Sequence, residues 1–291
     1  AVAGNRITLD ITASRDLDAL IAGDVVFSVA EATVATDRVT IERTNGTVSS
    51  AYFDVIDSDG DGVVSFSVSY TGDIAGIAGL QTSSTDSSTV TVDNALPTIL
   101  DVGLTSSTST APASVGSTIT LTFNASETLA ADPVVTIAGV SVSPVECDSQ
   151  NVCTAEHIVS AGDTEGDVGF SIEFRDLAGN AGTQVTSVTD GSSVTIDVTA
   201  PRLDNVALAS SANPVAVGGN VSLTFSASET LAADPVVTIA GVSVSPVVCD
   251  SQNVCTAEHS VSADDTEGDV GFSIDFHDLA GNAGTQVTSV T

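Results

Sequence analysis

The sequence predicts an all-β chain: three tandem Ig-like antiparallel β-sandwich domains arranged as an extended rod. Three observations carry that prediction. A block of about 100 residues recurs along the chain, apolar residues alternate with Ser and Thr at a period of two, and the composition is that of strands and turns. Val, Thr, Ser, Ala and Gly dominate the 291 residues, while Met and Trp are absent. β-Branched residues fit a pleated, half-buried surface, and Gly and Ser fit the turns between strands.

The repeat is close to exact. Ser126–Thr189 returns as Ser228–Thr291, shifted by 102, with five changes in 64 positions and 59 identities. The changes are Glu146 to Val248, Ile158 to Ser260, Gly162 to Asp264, Glu173 to Asp275 and Arg175 to His277. A divergent copy precedes these two: "DGVVSFSVSYTGDIAGIAG" aligns with "EGDVGFSIEFRDLAGNAG", and "ITLDITAS" at Ile7 with "ITLTFNAS" at Ile119. Self-similarity at this period marks an array of folding units. The linkers "TVDNALPTILDVGL" and "TIDVTAPRLDNVAL" place the domains at 1–95, 96–199 and 200–291.

Within the second copy, strands are expected at Ile99–Leu104, Thr118–Asn124, Val134–Ile137, Val140–Val145, Cys153–Val159, Val168–Phe174 and Val185–Asp197, the last broken by "DGSS". Seven short strands separated by turn residues in about 100 residues read as an Ig-like sandwich. The first copy begins at the equivalent of the second strand, and the third stops short of the last. Such edges suit either a segment of a longer array or a subunit whose missing strands come from neighbours by strand addition.

"ASETLAADPVVTIAGV", "DTEGDVGFSIEFRDLAGNAG" and "VTIDVTAP" resemble the bacterial Ig-like repeats of very large cell-surface proteins and adhesins. The resemblance covers nearly all of the second and third copies and, more weakly, the first. It implies a secreted, modular, non-enzymatic role as a stalk, with neighbouring Ig-like domains or copies of the same chain as partners, and a cell-surface or matrix ligand elsewhere.

Charge narrows the partners. Asp and Glu number 38 against six Arg and no Lys, a formal net charge of -32. That argues against nucleic acid or an anionic membrane as a direct partner. It fits a salt-rich habitat, or a chain whose clustered carboxylates expect divalent cations. No apolar run approaches the roughly 20 residues of a membrane span, so direct membrane insertion is not expected.

Cys147 and Cys153 bracket a five-residue loop, as do Cys249 and Cys255, and the flanks read as two strands of a hairpin. Such a loop brings the Cα atoms to the roughly 5.5 Å a disulfide needs. The alternatives are free thiols or half of a zinc site, which wants four ligands. Paired cysteines point to an oxidising, extracytoplasmic location.

"DSDGDG" at Asp57–Gly62 looks like the start of an EF-hand loop. An EF-hand requires Glu at the twelfth position, where this chain has Val68, and the following residues alternate as a strand. Aligned with "GDTEG", the stretch becomes the turn at the end where the first copy exits.

In a sandwich, alternate loops share an end. "SETLAADP", "DSQNV" and "RDLAGN" then lie where the chain enters a domain, and "AGDTEGD" lies at the far end, beside the linker. Stacking brings acidic sets together at each junction. Between the second and third copies these are Asp163, Glu165 and Asp167; Asp197, with Asp204 beyond it; and Glu229, Asp278 and Asn282. Between the first and second they are Asp57, Asp59 and Asp61, with Asp93, Glu127, Asp176 and Asn180. Hard oxygen ligands from two domains and a linker suit structural calcium with six to eight oxygens. The alternative is ordinary polar turns, with Asp and Asn chosen for their geometry. In the first copy Arg15 replaces Glu127 and Ile77 replaces Asn180, so its own entering end is expected to be empty of ion.

Catalytic signals are lacking. No Ser sits in a G-x-S-x-G elbow, and no phosphate- or dinucleotide-binding loop occurs. His157 and His259 repeat on a strand as ordinary surface or half-buried residues. The sequons at Asn45, Asn124 and Asn220 fall at non-equivalent positions of the repeats, which is what chance gives. The expected function is an extracellular structural stalk or fibre segment of a large bacterial surface adhesin, stiffened by calcium at domain junctions. Its rivals are a self-assembling filament joined by strand exchange and a glycan- or surface-binding module.

Overall fold

The structure is a computed structural model that describes residues 1–14, 20–71, 78–108 and 112–290. Among the described residues there is no α-helix; the single helical element is a short 3₁₀ turn at Thr36–Arg38. Everything else regular is strand, and every named strand pairs antiparallel to its neighbours.

Three hydrophobic cores follow one another along the chain, spanning Ile7–Val92, Val102–Ile196 and Leu203–Phe276. Each lies between two sheets. In the second unit one sheet runs Val145–Cys147, Val152–Ile158, Thr118–Ala125, Ile99–Ser106 in spatial order. The facing sheet runs Val140–Val142, Val134–Ile137, Phe170–Glu173. Alternation explains the packing: in "TITLTF" Ile119, Leu121 and Phe123 have no exposed surface, while Thr118, Thr120 and Thr122 face outward. The third unit repeats the register 102 residues on, with Thr118↔Ile158 matched by Asn220↔Ser260. All five substituted positions are exposed in both copies, so within this block the copies differ only where no packing constrains them.

In the first unit Arg6–Thr12, Val48–Asp54 and Thr40–Arg43 form one sheet. The other contains Val25–Val29 and Gly62–Thr71, flanked by Ala32–Thr33 and Ala78–Gln81. Val68, at the position where an EF-hand would carry its Glu, is 3% exposed inside the strand Gly62–Thr71.

One expected strand divides. Val140–Val145 splits at Ser143–Pro144: Val140–Val142 pairs with Val134–Ile137, and Val145–Cys147 pairs with Val152–Ile158 in the other sheet. Proline has no N–H to give the ladder, and the chain changes sheet there. The expected Val168–Phe174 shortens to Phe170–Glu173, and Gly166–Asp167, just before its expected start, pairs with Thr195–Ile196. The last expected strand reduces to a bridge at Val185 and the pair Thr195–Ile196. The Gly166–Asp167 pairing matters for function, because it sets the acidic turn before it against the linker after Ile196.

Candidate metal centres

The linker carboxylates come first. Thr91–Val92 pairs with Gly62–Val63, and Thr195–Ile196 pairs with Gly166–Asp167, each in the same register. Asp93 and Asp197 therefore leave their strands at equivalent points. Each turns its carboxylate back on the chain, Oδ1 accepting the N–H of Ala95 (3.2 Å) or Thr199 (3.2 Å).

The second carboxylate comes from the turn after the strand Thr118–Ala125. Ser126 is fixed there by a reciprocal pair of hydrogen bonds with Thr98 (2.9 and 3.0 Å), and Ser228 by the same pair with Arg202. The next residue is Glu127 or Glu229. The third is in the "DLAGN" turn, where Asp176 bridges to Leu129 and Asp278 to Leu231. Asp176 has no exposed surface and Asp278 is 1% exposed. Their carboxylates organise the turn. Asp176 Oδ1 accepts the N–H groups of Gly179 (2.7 Å) and Asn180 (2.8 Å), and Oδ2 accepts Asn180 Nδ2 (2.8 Å). Asp278 accepts the backbone and side-chain nitrogens of Asn282 in the same way (2.8 and 2.9 Å).

These elements bring Asp93, Glu127 and Asp176 together, and Asp197, Glu229 and Asp278, with one oxygen of each within 4.8 Å of the others. That spacing suits a common hard cation: ligands on opposite sides of a Ca²⁺ at its usual distances lie about 5 Å apart. Asp176 Oδ2, which accepts a single donor, still has lone-pair capacity.

The electrostatics of the groups alone are unfavourable. Burial raises the Glu127 carboxyl above its ordinary range, and Asp176, Asp93 and Asp61 push it the same way. Burial likewise raises Glu229, reinforced by Asp197, Asp278 and Glu165. Asp197 is raised by burial and by Asp278 and Glu165, against the opposing N–H of Thr199. The ion pairs of Arg6, Arg38 and Arg202, and the carboxylate contacts of His157 and His259, all fall on other acids.

The remaining sequence candidates sit elsewhere. Asp59, expected as a ligand, is a structural group: both its oxygens take the Arg38 guanidinium at 2.7 Å, and Oδ2 caps the N–H of Ile56. Arg38 accordingly holds the Asp59 carboxyl below its usual range, against the effect of burial. Asp163 has the same role with a different partner, pairing with His157 Nε2 (2.6 Å) and accepting the N–H of Ser160 (2.9 Å). Burial raises its carboxyl, but Ser160 and His157 outweigh that and hold it low. Asp265 repeats the arrangement with His259 and Ser262. Asp57 is exposed, and Asp167 is exposed within its short strand. Arg15 and Ile77, which bear on the first unit's own entering end, lie outside the described residues.

Asp61 and Glu165 do reach the linkers, in a way sequence reasoning missed. Asp61 Oδ1 accepts the N–H of Asn94 at 2.6 Å, and Glu165 Oε1 accepts that of Val198 at 3.1 Å. Asn180 and Asn282, expected as oxygen ligands, act as donors. Their Nδ2 groups bond the carbonyls of Asp93 and Asp197, both at 2.9 Å. The repeated spacing of His157 to Asp163 and His259 to Asp265 was a legible signal of the capping pair.

Both hairpins carry the expected disulfide, Cys147–Cys153 and Cys249–Cys255. The cysteines lie directly opposite each other in the ladder, with Cα atoms 4.0 Å apart. Of the sequons, Asn124 uses its Nδ2 on Asp101 Oδ2 (2.9 Å) within a central strand.

No protein-family model matches the chain, and no curated protein matches it in sequence. Solved structures do resemble it. One, a Ca²⁺-stabilized adhesin of an Antarctic bacterium, is 18% identical and covers 99% of this chain and 69% of its own, with a TM-score of 0.47. A 1.5-MDa bacterial ice-binding adhesin is 19% identical, covering 99% and 90%, at 0.44. A three-Ig fragment of titin is 12% identical, covering 99% and 92%, at 0.43.

Proposed function

We propose that this chain is a stretch of an extracellular bacterial adhesin stalk, built of Ig-like units at 1–95, 96–199 and 200–291 and stiffened by Ca²⁺ where units meet. The observation that carries the reading is the recurrence of the carboxylate trio. Asp93 or Asp197 comes from a linker, and Glu127 with Asp176, or Glu229 with Asp278, comes from the following unit. An ion held by both ties the linker to the unit beyond it, which restricts bending.

Other features agree. The paired cysteines suit an oxidising exterior. The net charge of -32 suits a chain whose carboxylates are met by divalent cations. The repeats themselves suit a spacer, since each unit buries its own core and length comes from adding units.

Small-angle scattering with and without chelator tests the reading. The maximum dimension and stiffness are expected to fall when calcium is removed and to recover when it is restored. An unchanged scattering profile would refute the calcium-stiffened stalk.

A further inference from the structure

We propose that each junction is aligned by a latch that grips one linker peptide group from both sides. The upstream unit's turn carboxylate takes its N–H, and the downstream unit's asparagine binds its C=O. At the second junction the peptide joins Asp197 to Val198. Its carbonyl accepts Asn282 Nδ2 at 2.9 Å, and its N–H is accepted by Glu165 Oε1 at 3.1 Å. At the first junction the peptide joins Asp93 to Asn94. Its carbonyl accepts Asn180 Nδ2 at 2.9 Å, and its N–H is accepted by Asp61 Oδ1 at 2.6 Å.

A peptide plane is rigid, so clamping both its poles fixes the direction of the chain as it passes between units. The two clamps come from different units. Asp61 and Glu165 stand just before the strand residues that pair with Thr91–Val92 and Thr195–Ile196. Asn180 and Asn282 are held in the "DLAGN" turn by the buried Asp176 and Asp278. That anchoring also fixes which end of each amide faces the linker. The Asp176 carboxylate and the Asp93 carbonyl are both acceptors, and only the NH₂ group, with two protons, satisfies both.

Chemistry is kept at both junctions while the residues change. Asp61 replaces Glu165, and Asn94 replaces Val198, yet a carboxylate still meets the N–H one residue past the linker Asp. The latch deepens the stalk reading proposed above: it orients the linker so that Asp93 or Asp197 already faces the following unit's carboxylates before an ion arrives. The second unit carries both halves of the device, Asn180 where the chain enters and Glu165 where it leaves.

The test is a distance measurement across the second junction in the full chain, by electron–electron spin resonance between labels at the exposed Ser141 and Ser243. It is run in chelator, so the latch and the calcium reading can fail separately. The wild type is expected to show a single narrow distance peak, and Asn282→Ala and Glu165→Ala are each expected to lose it. Calcium is then added: recovery of the peak in the variants supports an ion as a second, independent tie. If Asn282→Ala unfolds the third unit, Glu165→Ala carries the test, since Glu165 is exposed and lies outside that unit. A wild type already broad in chelator, or a folded variant that keeps the wild-type peak, overturns the latch.

Discussion

Asp176 illustrates what a buried acid does in this chain. It has no exposed surface, and it accepts two backbone N–H groups and the Asn180 side chain. Asp176→Ala leaves those donors without a partner, at about 1–3 kcal/mol for each one that stays buried. The second unit's unfolding midpoint in urea is expected to drop accordingly, whereas Asp57→Ala, on an exposed turn, is expected to leave it unmoved. Asp59, Asp163 and Asp265 contribute to the acid limit. Their folded carboxyls are held low, by Arg38 first for Asp59, by Ser160 and His157 against burial for Asp163, and by Ser262 and His259 for Asp265. The unfolded chain therefore binds more protons in acid. The stability these groups supply is present above the ordinary Asp value of about 3.9 and is lost as pH falls through the lower folded values. Asp163→Asn is expected to flatten the acid limb of a stability–pH curve; an unchanged limb would show that the capping pair contributes nothing.

At the scale of elements, the strands were legible because burial follows the alternation of the sequence so closely. Their interruptions were less so. Pro144 and Pro246 sit inside runs that read as one strand, and the ladder shows that the chain changes sheet there. The hairpin disulfides were legible from spacing alone. Each closes a loop with a sequence separation of 6, and reduction is expected to cost the hairpin's unit about 2 kcal/mol. The first unit has no cysteine and should not respond, which calorimetry in reductant would show. In "DLAGNAG" the last glycine has a packing role: a Cβ on Gly182 would overlap the Phe174 ring, as one on Gly284 would overlap Phe276. In the first unit Gly79 lies in the same way under Tyr70. Gly182→Ala is expected to destabilise its unit by about 1–3 kcal/mol, read in urea.

At the scale of the molecule, the carboxylate trios were partly legible. The repeat and the linkers located Asp93, Asp197 and the downstream acids, because equivalent turns must meet at equivalent junctions. Sequence could not separate the acid that reaches the linker from the one that takes a cation within the same turn. In "DSDGDG" Asp59 turns to Arg38 and Asp61 to the linker, and that choice depends on a cation twenty-one residues away. The trios also reverse the usual pH dependence. Glu127, Asp197 and Glu229 are raised by burial and then by neighbouring carboxylates, so the folded state holds protons more tightly than the unfolded. In chelator, stability should fall as pH rises through the ordinary carboxylate values of about 4 toward the raised folded ones. Saturating calcium should remove that loss, adding roughly 2.7 kcal/mol per site at a hundredfold excess over Kd. The most direct test is a calorimetric titration of Ca²⁺ into the chelator-stripped chain and into the double variant Glu127→Ala, Glu229→Ala. Saturable binding that the double variant loses is the predicted result. No binding, or binding of equal strength and extent in both proteins, would contradict it.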